Sequence, residues 1–212
     1  MLYDCRTVAD RDRGIESAID AIKRGDLVVL PTDTVYGIAA DAFKPWSVTA
    51  LLDAKGRRNA PPVLVGSKAT LDGLVVTLPS EARLLVEAFW PGALTIVVEH
   101  SPSLQWDLGA NDGTVAVRMP LHPVALEVLR ETGPLAVSSA NKTTRPPAIT
   151  AEEARDQLGS SVSVYLEAGE CPDRTPSSIV DVTGEVPRLL RAGAVPLERL
   201  REVIPATLGP DE

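Results

Sequence analysis

The pattern that most constrains this chain is an alternation of helical-period segments with short aliphatic runs, which gives way near the C-terminus to aliphatic runs in direct succession. Ile15, Ala18, Ile19 and Ile22 keep the spacing of one helix face, and Gly25 is placed to stop that helix. The run Leu27 to Leu30 follows, then a helix opened by Pro45, carrying Val48, Leu51 and Leu52, and closed near Gly56. "PVLVGS", "ALTIVVE", "TVAVRMP" and "PLAVSSAN" read as further strands, interleaved with a helix capped by Ser80 and the helix "HPVALEVLRETG". Thr150 with Glu153 makes a capping box for one more helix. "SVYLE", "SSIVDV" and "PRLLRAG" then come as consecutive strands before a last helix from about Leu197. Such βα units followed by consecutive strands predict an α/β fold, a single domain with a large twisted mixed β-sheet and flanking helices. The domain is expected to fill residues 1–212, with a motif-bearing core from about 12 to 204 and a frayed tail over 205–212.

Composition removes several classes of function. The chain is 44% hydrophobic and 24% charged, as ordinary globular proteins are, and only 4% aromatic, so aliphatic packing must carry the core. Cys5 and Cys171 stand far apart and form no CxxC pair, which argues against a disulfide framework or a zinc site and fits a reducing compartment. No apolar run approaches the ~20 residues of a membrane helix, and "MLYDCRTVADRDRG" is too charged for a signal peptide. A cytoplasmic location is the expectation. The net charge of −8 disfavours indiscriminate nucleic-acid binding, which depends on phosphate neutralisation by Lys and Arg.

The familiar catalytic signatures are missing too. The chain has no GxxxxGK[ST] loop, GxGxxG, GxSxG or HExxH. Its two histidines are His100 and His122, and His122, within "PLHP", reads as a turn or helix-start residue. Chemistry here must proceed without a histidine base.

What remains is a set of strand ends. In "VVLPTDTVYGIAAD" an aliphatic run stops at Pro31 and is followed by Thr32, Asp33, Thr34, Tyr36 and Gly37, which suits either a turn or a ligand site. Lys55, Arg57 and Arg58 fall where the second helix ends; they complement its dipole or clamp a polyphosphate. Arg118 ends the apolar run of "TVAVR", and Ser138, Ser139 and Asn141 end another. Ser177 and Ser178 stand at a strand entrance, and Arg191 at a strand exit just before Gly193. Hydroxyls gather at some strand ends and guanidinium groups at others.

In this order the segments "PTDTVYG", K-x-R (Lys55 and Arg57), "TVAVRMP", "SSAN", "SSIVD" and "LLRAG" resemble the YrdC/Sua5 family, over about Leu27 to Gly193. The length resembles its single-domain members. The resemblance implies a YrdC-like fold and a threonylcarbamoyl-AMP synthase, a nucleotidyltransferase. Such an enzyme makes threonylcarbamoyl-adenylate and pyrophosphate from L-threonine, bicarbonate and ATP, for N6-threonylcarbamoyladenosine (t6A) in tRNA. ATP is then a substrate, with Mg2+ carried on the nucleotide and no metal ligands supplied by the chain. The implied partners are the downstream tRNA threonylcarbamoyl transferase machinery and a weak or transient tRNA contact, with no membrane.

Carried over by motif position, Thr32, Thr34, Arg118, Ser138 and Ser177 would bind threonine, with Arg118 on its carboxylate. Lys55 and Arg57 would meet the ATP phosphates and act in catalysis. Thr114, Ser139, Asn141 and Arg191 would complete the nucleotide side. The chain departs from the family pattern at Arg58 (usually Pro), Pro61 (Asn) and Gly66 (His), and Lys142, Thr143 and Thr144 replace x-Ser-Gly, with Pro147 at a common Ser position. The alternative is a catalytically weak YrdC-like module that binds structured RNA or tRNA. The acidic net charge weighs against that, and the retained Lys55, Arg57, Arg118 and Arg191 weigh for chemistry.

Overall fold

A computed structural model describes residues 1–56, 59–109, 112–172 and 174–212. In chain order the elements are β1 (Leu2–Asp4), α1 (Val8–Arg24), β2 (Val28–Leu30), β3 (Gly37–Asp41), α2 (Pro45–Lys55), β4 (Val63–Leu64), α3 (Lys68–Asp72), α4 (Ser80–Phe89) and β5 (Leu94–Glu99). β6 (Thr114–Arg118), α5 (Pro123–Thr132), β7 (Leu135–Ser139), α6 (Ala151–Leu158), β8 (Val164–Glu167), β9 (Ser178–Asp181), β10 (Arg188–Arg191) and α7 (Leu197–Val203) follow. The strands form one mixed sheet in the order β1-β8-β2-β3-β7-β4-β6-β5-β9-β10. The α/β expectation holds, and the sheet is wider than the predicted strands alone would build.

Period-two alternation assigns the sheet's faces. On β2, Val28 and Leu30 pack with Ile15, Ala18 and Ile22 of α1 and Val124, Val128 and Leu129 of α5. Val29 points the other way, with Leu51 of α2 and Ala151 and Ala154 of α6. At the far end of the sheet, Leu94, Ile96 and Val98 of β5 and Val115 and Val117 of β6 join Leu85 of α4 and Leu200 of α7. Gly25 (φ 92°) and Gly56 (φ 68°) end α1 and α2 in the left-handed conformation, where a side chain would strain the backbone.

Two details differ from the sequence reading. Pro79, not Ser80, is the N-cap of α4, and the Ser80 hydroxyl turns to Glu81. The tail over 205–212 makes bonds to the body of the fold: Leu189 N donates to Leu208 O at 2.9 Å, Leu208 N to Pro187 O at 2.8 Å, and Arg201 pairs with Glu212 at 2.5 Å. Among the described residues no helix is long and apolar enough to cross a membrane. Cys5 and Cys171 are free and buried.

Candidate functional site

A cavity of about 360 Å³ lies against the central strands, on the face of β5 and β6 opposite the α4 core. Its floor is Leu64 of β4, Thr95 and Val97 of β5, Ala116 and Arg118 of β6, Val137 of β7 and Ile179 of β9. Side chains as short as Thr95 and Ala116 leave space there. Thr32 and Thr34 rim it from the β2–β3 connection, Ser138 and Ser139 from the end of β7, Ser177 from just before β9, and Arg191 from the end of β10. The size suits a small-molecule site. The strand-end hydroxyls of the sequence do converge, but over the face of the sheet rather than beyond the strand tips.

Register explains the convergence. Antiparallel pairing sets Gly37 opposite Ser139 and Ile38 opposite Ser138, so the β2–β3 connection leaves beside the end of β7. Parallel pairing of Leu64 with Arg118 places the end of β6 in the same neighbourhood.

Arg118 is nearly buried, 6% exposed, and held by three acceptors. Its Nε donates to Gly92 O at 2.9 Å, Nη1 to Thr34 Oγ1 at 2.9 Å and Nη2 to Asp33 Oδ1 at 2.6 Å. Burial pushes its pKa down while Asp33 holds it up, and a guanidinium stays protonated throughout. Asp33 also accepts from Leu121 N at 2.9 Å, which ties the β2–β3 connection to the segment after β6. The sequence reading gave Asp33 no role. Its position between two threonines, and the need of a buried arginine for a counter-charge, were the available signals.

At the other side Arg191 Nε and Nη2 donate to Ser177 O at 3.0 and 2.7 Å, and Nη2 reaches Ser177 Oγ at 3.1 Å. Thr95 Oγ1 lies 2.8 Å from the same hydroxyl, another contact not foreseen from sequence. The parallel register Leu94 to Ser178 sets Thr95 beside Ser177. Gly193 permits this approach, because a Cβ there would stand 2.4 Å from Pro176 O and 2.5 Å from Ser177 C.

Three proposed nucleotide contacts stand elsewhere. Lys55, 3% exposed, lies outside the lining and sends Nζ to Ser139 O at 2.6 Å and Asn141 O at 2.8 Å. The Asn141 amide donates to Lys142 O and Arg145 O, which shapes the loop after β7. Thr114 shares a strand face with Ala116 and Arg118 but sits at the far end of β6, outside the lining. Arg57, like Arg58, falls outside the described residues.

Two departures from the family pattern acquire a physical reading. A Cβ on Gly66 would meet Arg130 N at 2.8 Å and Leu129 C at 2.9 Å, so the α5 backbone fills the space that a side chain would need. Thr143 keeps a hydroxyl and donates it to Lys55 O at 2.8 Å.

A family model described as Sua5/YciO/YrdC, telomere recombination, matches residues 20–193. The chain belongs to the Sua5/YciO/YrdC family. A Mycobacterium tuberculosis (strain H37Rv) member, provisionally named a threonylcarbamoyl-AMP synthase, is 59% identical over 204 residues, covering 95% of this chain and 94% of that one. The Pyrococcus abyssi member, named threonylcarbamoyl-AMP synthase, is 35% identical over 193 residues, covering 90% of this chain and 57% of that one. The solved structure of P. abyssi Sua5 complexed with L-threonine superposes with a TM-score of 0.92 at 32% identity, over 99% of this chain. This chain spans 62% of that longer member of the family. Among the described residues no three His, Cys, Asp or Glu side chains converge as metal ligands.

Proposed function

We propose that this chain is a threonylcarbamoyl-AMP synthase that condenses L-threonine, bicarbonate and ATP. The observation that carries this reading is one cavity lined by two arginines, Arg118 and Arg191, together with the hydroxyls of Thr34, Ser138, Ser139 and Ser177. A related protein of the same fold has been solved with L-threonine.

In this mechanism the threonine carboxylate takes N–H groups of Arg118, and its side chain reaches Ser177 or Ser138. The threonine amine adds to bicarbonate, water leaves, and a carbamate forms. A carbamate oxygen then attacks the α-phosphorus of ATP; the new O–P bond replaces the bond to pyrophosphate, which departs. Arg191 faces the phosphates and offsets their developing charge, a role that the family motif also implies for Arg57. Lys55 acts on this side through the loop it holds, since its Nζ lies on Ser139 O and Asn141 O. The chain's contribution is positioning and charge, which needs no histidine. Mg2+ would arrive on the nucleotide, held by its own phosphate oxygens, and supply further charge neutralisation. The product feeds t6A formation in tRNA through a separate transferase, in a cytoplasmic setting.

Incubation with L-threonine, bicarbonate and ATP followed by rapid mass spectrometry tests this. Threonylcarbamoyl-adenylate should appear, and should vanish when any one substrate is left out. ATP turnover without that adduct would refute the reading.

A further inference from the structure

We propose that Asp33 is the positioning residue of the amino-acid end of this cavity. It fixes the Arg118 guanidinium beside the Thr34 hydroxyl, so that the remaining guanidinium N–H groups and that hydroxyl together fit a zwitterionic α-amino acid. The inference rests on the threonine reading above and deepens it.

The hydrogen-bond directions follow from proton counting. Thr32 Oγ1 donates its single proton to Val35 O at 2.7 Å. The 3.1 Å contact between the Thr32 and Thr34 hydroxyls is therefore a donation from Thr34. Thr34 Oγ1 in turn accepts from Arg118 Nη1 at 2.9 Å, with one lone pair. Among the described residues its second lone pair is left for an N–H of the ligand. Arg118 gives three of its N–H groups to Gly92, Thr34 and Asp33, so among the described residues one remains on each terminal nitrogen for a carboxylate. An acceptor for the amine thus stands next to donors for the carboxylate. A carbamate nitrogen still carries one N–H, so the Thr34 contact survives the first chemical step.

Asp33 anchors this chain of bonds. Both of its hydrogen bonds among the described residues, from Arg118 Nη2 at 2.6 Å and Leu121 N at 2.9 Å, fall on Oδ1. With both side chains largely buried, at 7% and 14% exposure, the pair is electroneutral before any ligand arrives. A neutral pair suits threonine, whose ammonium and carboxylate cancel. Without Asp33, Arg118 would be a buried cation held by the neutral acceptors Gly92 O and Thr34 Oγ1, and Nη2 would be open to any small anion. The ligand carboxylate joins Asp33 on the guanidinium rather than replacing it.

The test is initial-rate pyrophosphate release in the wild type, Asp33→Asn and Asp33→Ala, varying L-threonine and ATP separately and with a thermal melt of each. Asp33→Ala should raise the threonine KM about 100-fold, as a displaced binding group does, with the ATP KM within about threefold. Asp33→Asn keeps an oxygen for both N–H groups but loses the counter-charge, so its threonine KM should rise about 10-fold, clearly less than in Asp33→Ala. A general folding defect would lower the apparent kcat and leave the threonine KM alone. An unchanged threonine KM in Asp33→Ala, or Asp33→Asn as impaired as Asp33→Ala, overturns the proposal. Should Asp33→Ala fail to fold, the wild-type structure with L-threonine decides. Asp33 Oδ1 still on Nη2 supports the proposal, and threonine carboxylate in its place overturns it. A wild type with no threonine-dependent release refutes the functional reading itself, and this inference falls with it.

Discussion

The Lys55 ammonium lies 2.6 Å from Ser139 O and 2.8 Å from Asn141 O, while Thr143 returns its N–H and hydroxyl to Lys55 O at 3.1 and 2.8 Å. The end of α2 and the loop after β7 therefore hold each other in both directions. Lys55→Met keeps the apolar stem and removes the donor, stranding two carbonyl groups. The expected cost is about 1–3 kcal/mol. Thermal melting should register it, accompanied by a loss of ATP turnover larger than the unfolded fraction explains. A melting temperature equal to the wild type would show that the ammonium does not hold this loop.

Arg118 serves three acceptors that point in different directions, and lysine cannot reproduce that fork. Arg118→Lys should weaken threonine binding by roughly 30- to 1000-fold, the loss of about 2–4 kcal/mol of charged hydrogen bonding. ATP binding should be nearly unchanged. Stability should fall modestly, since Asp33 keeps a cation beside it. Calorimetric titration with each ligand checks this; normal threonine affinity would remove Arg118 from the site.

The sequence disclosed the elements that local chemistry dictates. Helical spacing with glycine stops marked α1 and α2, and aliphatic runs marked β5, β6 and β7. It did not disclose β1 or β3. "GIAAD" has little strand propensity of its own and becomes β3 because β2 and β7 pair with it on both sides. Leu2–Asp4 is a strand only through β8, more than 160 residues away. The site was read in the same way. Thr32, Thr34, Arg118, Ser138, Ser139, Ser177 and Arg191 were expected together and line one cavity. Asp33 and Thr95 were missed because their meaning comes from partners brought by register, Arg118 and Ser177. Lys55 was expected on the ATP phosphates from its motif position; sequence does not show that its ammonium also holds Ser139 O and Asn141 O.

His122 supplies a pH dependence. Its Nδ1 is buried with no hydrogen-bond partner among the described residues. Burial lowers its pKa below 6.5, with Asp33 pulling up and Arg11 pushing down. The unfolded chain therefore takes the proton first, and stability present above about 6.5 is lost as the pH falls through the window below it. Melting temperatures of the wild type and His122→Gln between about pH 7 and 5.5 should converge on acidification, the variant losing less. Parallel pH profiles would contradict this.

Cys5 and Cys171 are both pushed up to about 11, chiefly by burial. Only the thiolate is nucleophilic. At pH 8 a disulfide reagent should label the native protein slowly, and both thiols at once in denaturant. Rapid labelling of either in the native state would show that its pocket opens.

The account as a whole stands on threonine-coupled cleavage of ATP between the α- and β-phosphates. The direct measurement is pyrophosphate release with each of L-threonine and bicarbonate present or withheld. The predicted result is release that requires both, with AMP appearing as the adenylate decays. Hydrolysis to ADP and phosphate at the same rate without threonine would contradict it.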